Sequence, residues 1–162
     1  MAGLINAGTF TNAQITNVVQ TGFFAYRGTT AQTSLATGAA IICDVTLANV
    51  GGGYSTGTGI FTAPTTGKYL FTANVAYQAL SGGLTTIAGA DLIIAGTTYR
   101  LYAGRMGASG VNCGMNGGII VPMTSGQTAQ LKTFLSTGTV SLIGEQTTNF
   151  RYSFFSGLHV GG

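Results

Sequence analysis

The chain of 162 residues is long enough to fold as one domain around its own core, and with 6% charged against 45% hydrophobic residues it is not a chain held open by charge. Its net charge of +3 reflects scarce acids more than clustered bases. Arg27, Lys68, Arg100, Arg105, Lys132 and Arg151 are scattered, so no basic stripe for nucleic acid exists.

Taken from the start, Met1 to Gln20 ("MAGLINAGTFTNAQITNVVQ") is rich in Asn, Thr and Gln, with scattered apolar residues. It reads as an arm or attachment segment (1–20), followed by a head (21–162). The arm lacks the basic start and apolar block of a signal peptide, and no apolar run in the chain approaches the roughly 18 residues of a spanning helix. The expectation is synthesis in a host cytoplasm, outside the general secretory route, without membrane insertion.

The head begins with the aromatic strand "FFAYRG" and continues with "AAIICDVTLANV". In "KYLFTANVAYQ", Tyr69, Phe71, Ala73, Val75 and Tyr77 fall on one face and Leu70, Thr72, Asn74, Ala76 and Gln78 on the other. "ADLIIAGTTYRLYA", "GGIIVPM", "TAQLKTFL", "TVSLIG" and "FRYSFFSGLHV" read similarly, being β-branched or aromatic and bounded by turn residues. No capped, 3.6-periodic run appears, so the class is an antiparallel all-β sandwich or barrel. Glycine punctuates it. Gly96, Asn116-Gly117, "TSGQT" and "STGTV" read as turns between strands, and Pro64 with Gly67 marks a corner. The triple glycine Gly51 to Gly53 fits neither a P-loop nor G-x-G-x-x-G, and a strand follows it, so it reads as a connection.

Chemistry has few reagents. Asp44, Asp91 and Glu145 are the only acidic side chains and His159 the only imidazole, far from the paired carboxylates of a glycosidase or the parts of a triad. Ser109 lacks a nucleophile elbow. Cys43, Cys113 and His159 have no zinc spacing, and the cysteines read as small buried hydrophobes whose pairing stays open. The expectation is a non-enzyme with no cofactor and no metal. For recognition, "TTYRLYAGRM" interleaves Tyr99, Arg100, Tyr102 and Arg105, residue types typical of binding hot spots. The plainer alternative places Tyr99 and Leu101 in the core with Arg100 solvated.

The succession of "FFAYRG", "IICDVTLANVGGGYSTGTGIFTAPTTGKYLFTANV" and "FRYSFFSGLHV" resembles the globular heads of complement component 1q and tumour necrosis factor. The likeness is carried by Asp44, Asn49, Gly51, Tyr54, Thr58, Gly59, Phe61, Pro64, Gly67, Tyr69, Phe71, Phe155, Ser156 and Gly157. It runs from Gly22 to Val160, strongest in Asn49 to Val75 and the last strand, and weak between Ala79 and Val140. It implies an all-β, ten-stranded antiparallel jelly-roll sandwich of the C1q/TNF-like kind, assembled as a homotrimer. It also implies a threefold contact made by Tyr69, Phe71, Phe155, Gly157 and His159, with Phe155 against its copies and Gly157 letting backbones approach. Three features depart from the family: no collagen-like stalk or secretion signal, Gln127 where an acid belongs, and too few acids to carry over a calcium cluster. Such a minimal head looks similar to domains that bacteriophages and other viruses place on fibres, tail tips and capsids. The implied role is a trimeric virion surface protein, mounted on other virion proteins through its arm and recognising a host surface glycan or protein. The alternative is a purely structural capsid decoration or cap.

Overall fold

The computed structural model describes residues 20–79, 86–106, 112–145 and 150–162. Only Gln20 of the arm falls within them, and Ser109 lies outside. The described residues form twelve strands: β1 (Gly22–Tyr26), β2 (Gln32–Leu35), β3 (Val45–Val50), β4 (Tyr54–Ser55), β5 (Ile60–Thr62), β6 (Gly67–Ala79), β7 (Ile87–Ile94), β8 (Thr97–Arg105), β9 (Asn112–Met123), β10 (Thr128–Leu135), β11 (Val140–Leu142) and β12 (Phe154–Gly161). They form two antiparallel sheets. One has seven strands in the order β2-β11-β6-β12-β1-β3, with β9 along the other edge of β6; the second has five, ordered β4-β5-β10-β7-β8. The all-β jelly roll read from the sequence is the observed fold, with short pieces such as β4 and β11 taking the strand count past ten.

Between the sheets lies an aromatic core. Phe23 stacks on Tyr54 with ring centres 4.5 Å apart, meets Phe155 edge-on at 4.9 Å, and lies 5.0 Å from Phe61, which in turn packs on Tyr69 and Phe71. Each such ring, fully buried, stabilises the fold by about 1.5–3 kcal/mol relative to exposure. The alternation read in "KYLFTANVAYQ" holds, since Tyr69, Phe71, Ala73, Val75 and Tyr77 are all buried.

The triple glycine is a clasped connection. Asn49 Nδ2 donates to the Tyr54 carbonyl at 2.9 Å and the Tyr54 N–H donates back to Asn49 Oδ1 at 3.1 Å, closing the loop from β3 to β4. Gly51 and Gly52 adopt φ of +87° and +67°, the left-handed region where a side chain is penalised. Gly53 serves close approach instead, because a Cβ there would stand 2.5 Å from the Thr62 carbonyl oxygen.

Two expectations are corrected. Asn116-Gly117 is not a turn: it lies inside β9, opposite Asn74 and Ala73, and Gly117 lets the Leu101 backbone of β8 come close. The faces of the last strand are also reversed. Registration against β6 sets Phe155 opposite Ala73 and Gly157 opposite Phe71, both inward positions. Tyr69, Phe71 and Phe155 are fully buried in a single chain, a Cβ on Gly157 would collide with the rings of Phe23 and Phe71, and His159 packs edge-on against Tyr69 at 5.1 Å. Four of the five residues assigned to a threefold contact, Tyr69, Phe71, Phe155 and Gly157, belong to the interior, and His159 is half-buried beside them.

Candidate functional site

The face of the seven-stranded sheet turned away from the core can be traced strand by strand through its pairing. One row runs Ile120, Leu70, Leu158, Gly22, Val50; the next Gly118, Thr72, Ser156, Phe24, Ala48; the third Asn116, Asn74, Phe154, Tyr26. The first row is apolar and bare, with Ile120 58% and Val50 44% exposed. A pairing irregularity between β1 and β3 leaves Leu47 without a partner and exposed beside it. Because Gly22 and Ala48 are small, a groove of about 290 Å³ opens between Phe24, Val50 and Leu158. The middle row is hydroxylic, with Thr72 Oγ1 and Ser156 Oγ 2.7 Å apart.

The third row is covered by its own chain. The residues before β12 fold over it: the Asn74 amide donates to the Tyr152 carbonyl, the Arg27 N–H to the Ser153 carbonyl at 2.9 Å, and the Ala76 N–H to Ser153 Oγ at 3.0 Å. The Arg151 guanidinium lies 4.4 Å from the Tyr26 ring centre. Phe150 and Tyr152 are left pointing outward as a tilted pair with centres 6.2 Å apart.

The cluster Tyr99, Arg100, Tyr102 and Arg105 does not converge. A register shift pairs Asp91 with Arg100 but Ala90 with Tyr102, leaving Leu101 as an extra residue in β8. Tyr99 and Tyr102 therefore lie on the core side, opposite Leu92 and Ala90, while Arg100 and Arg105 lie on the outer side, opposite Asp91 and Ile87. Tyr99 and Leu101 pack against the core, as the plainer alternative had it, and Tyr102 lies over Gly104 at the rim. Arg100 is occupied: Nε and Nη2 donate to the two Asp91 oxygens at 2.9 and 3.1 Å, and its guanidinium sits 3.4 Å from the Phe134 ring centre. The Asp91 hydrogen bond raises the Arg100 pKa further. The missed signal was the bulge, which no periodicity in "TTYRLYAGRM" announces.

Several other titratable groups are tied into the fold. Arg27 meets Asp44 at 3.3 Å, and Asp44 also accepts from the Gly28 N–H. Cys43 and Cys113 are both free thiols; burial, with Asp44 adding to it, pushes Cys43 up to about 12. Burial also raises Tyr54, whose hydroxyl donates to the Cys43 carbonyl, and Tyr77, whose hydroxyl donates to the Gly89 carbonyl. Among the described residues no three of His, Cys, Asp and Glu come together as metal ligands, and no helix is long and apolar enough to cross a membrane.

Solved structures share this architecture. The globular domain of zebrafish complement 1qA is 16% identical, with 87% of this chain and 97% of that one covered at a TM-score of 0.63. The Eiger TNF of S. frugiperda is 12% identical, covering 88% and 93% at 0.61, and murine APRIL is 13% identical, covering 87% and 99% at 0.58. At these identities the likeness is one of fold. No curated protein matches the chain. The C1q domain model matches residues 22–159, and with nearly the whole head inside that match the chain belongs to the C1q domain family.

Proposed function

We propose that this chain is a non-enzymatic, homotrimeric recognition head carried on a virion surface. The observation that carries the trimer is the bare apolar row Ile120, Leu70, Leu158 and Val50 with its adjoining groove, on a sheet whose other face already closes the core. An exposed apolar surface of this kind marks an interface, and an obligate one is core-like. A ring of three places the β9 side of the face on one subunit against the β3 side of the next, so that every patch is covered and growth stops. Light scattering tests it, with three times 16.4 kDa expected and no dissociation on dilution. A monodisperse species of one chain mass overturns it.

The virion placement is supported by the likeness to minimal viral heads and by the Asn/Thr/Gln-rich composition of the arm, 1–20, of which Gln20 lines the groove. The arm is the mounting segment. Deleting it should leave the melting temperature nearly unchanged while removing the chain from gradient-purified particles; its absence from particles of the intact system overturns the placement. The second reading, a structural cap with no ligand of its own, is favoured by the division of Tyr99, Arg100, Tyr102 and Arg105 between two faces.

A further inference from the structure

The outward row Ile120, Leu70, Leu158, Gly22, Val50 is uneven in relief. At its β9 end Ile120 stands 58% exposed, more than any other large aliphatic side chain among the described residues. Toward its β3 end the one position without a side chain, Gly22, lies between Leu158 and Val50, and the groove of about 290 Å³ opens there. A Cβ at Gly22 would stand 2.6 Å from the Gly157 carbonyl oxygen, so the close approach of β1 to β12 keeps the gap open. The same row thus holds a projection at one edge and a gap near the other.

A symmetry axis running along the strands keeps every residue at its own height. It therefore sets the β9 edge of one copy against the β3 side of the next with the two ends of this row level. No charge obstructs the meeting, because neither β9 nor β3 contains an acidic or basic residue. The arm fits the groove less well. Antiparallel pairing carries the chain before Gly22 toward His159, where Gln20 Nε2 donates to the His159 carbonyl at 3.2 Å and the His159 N–H donates to the Thr21 carbonyl at 2.9 Å. That course leads away from Phe24 and Ser156 at the groove's inner end. We infer that Ile120 of one subunit seats in the groove over Gly22 of the next, between Leu158 and Val50 and beside Ala48, in a head-to-tail contact repeated around the ring. This deepens the trimer reading and rests on it, naming the two halves of a site that one chain leaves incomplete. Selectivity follows, since a copy lacking either the projection or the gap leaves the ring open.

The test is a charge exchange across the contact in the full chain, read by light scattering over a dilution series with far-UV spectra in parallel. Ile120 and Ala48 are both exposed in the single chain, so substitution there spares the core. Ile120→Lys and Ala48→Asp each put an unmatched charge into an apolar contact, and each should bring the mass from three times 16.4 kDa to 16.4 kDa with the spectrum preserved. The double variant sets the two charges against each other. It should reassemble at a concentration at least about tenfold below either single variant, and lose that gain in high salt. A trimer indifferent to both single changes overturns the inference and leaves the trimer reading standing, as does a double variant no better than the singles. A wild type of one chain mass overturns both, and a wild type of two chain masses overturns the ring. If Ala48→Asp keeps the trimer mass but opens residues 1–19 to protease, the arm holds the groove and Ile120 does not.

Discussion

The two sheets turn very different surfaces away from the core they share. On the five-stranded sheet the outward positions carry Asp91, Arg100, Lys132, Phe134 and Gln130, with Ile60 and Ile93 on either side of Gln130 and the exposed Ile87 opposite Arg105. Its one large apolar ring there, Phe134, is roofed by the Arg100 guanidinium, which Asp91 fixes in place. On the seven-stranded sheet the corresponding positions carry Ile120, Leu70, Leu158 and Val50 with no such cover. The five-stranded sheet roofs its outward ring with its own side chains, whereas the first row of the seven-stranded sheet has no such roof. In a chain with so few charges, their placement is informative: on the outward face of the seven-stranded sheet Lys68 and Arg151 stand at either end, and the apolar row between them is the part assigned to an interface.

The most damaging way to test the contrast is to reverse the inside of the seven-stranded sheet. Phe155→Asp places a carboxylate among Phe23, Tyr54 and Phe71, which should abolish cooperative melting. Phe155→Ala should cost about 3–5 kcal/mol in urea titrations. A soluble, folded Asp variant would return Phe155 to the outer face. Next in size is Leu158→Asp, expected to lower the light-scattering mass to 16.4 kDa with the far-UV spectrum preserved. Thr98→Asp on the outer face of the other sheet should leave the mass alone, and equal dissociation by both would erase the asymmetry between the sheets.

A smaller effect separates the shared core from both surfaces. Cys43 keeps its proton up to about pH 12 when folded, against an ordinary 9.0. Above pH 9 the unfolded chain therefore binds fewer protons than the folded one, and stability falls as pH rises toward 12. Thermal melts between pH 8 and 11 should show a shallower fall in Cys43→Ala than in wild type; parallel curves would mean that the thiol is not shielded. The smallest change is Arg100→Ala. Its ion pair is 44% exposed on the arginine side, so a loss of under about 1 kcal/mol is expected, with no change in mass. A larger loss by chemical denaturation would make the Arg100 roof on Phe134 part of the core.

The class of fold and many of its turns were legible because they are local. Gly96 with Ala95, Gly126 and Gly138 all take positive φ at the predicted connections, and the period of two in β6 matches its burial. What failed depended on neighbours. Phe150, Tyr152 and Phe154 alternate as if on one strand, but β12 starts only at Phe154. Both faces of that strand carry aromatic rings, so alternation alone could not say which pointed inward; pairing with Phe71 and Ala73 decided it. Asn116-Gly117 has the composition of a turn, yet twelve consecutive pairs with β6 hold it extended. The proposed recognition cluster failed for a third reason, a single extra residue in β8.

The position of β12 bears on how such a chain is made. It is the last of the described strands to leave a ribosome, yet it lies between β1, the first, and β6. Until it arrives, β1 and β6 have no common partner and the rings of Phe23 and Phe71 lack the one that completes their cluster. Nascent chains would therefore wait with sheet edges and aromatic side chains uncovered, a state exposed to aggregation. Closing the most distant pairing last also places folding on the slow, millisecond-to-second side of the usual range. Production at low temperature, where translation and misassociation both slow, should favour soluble chains over inclusion bodies.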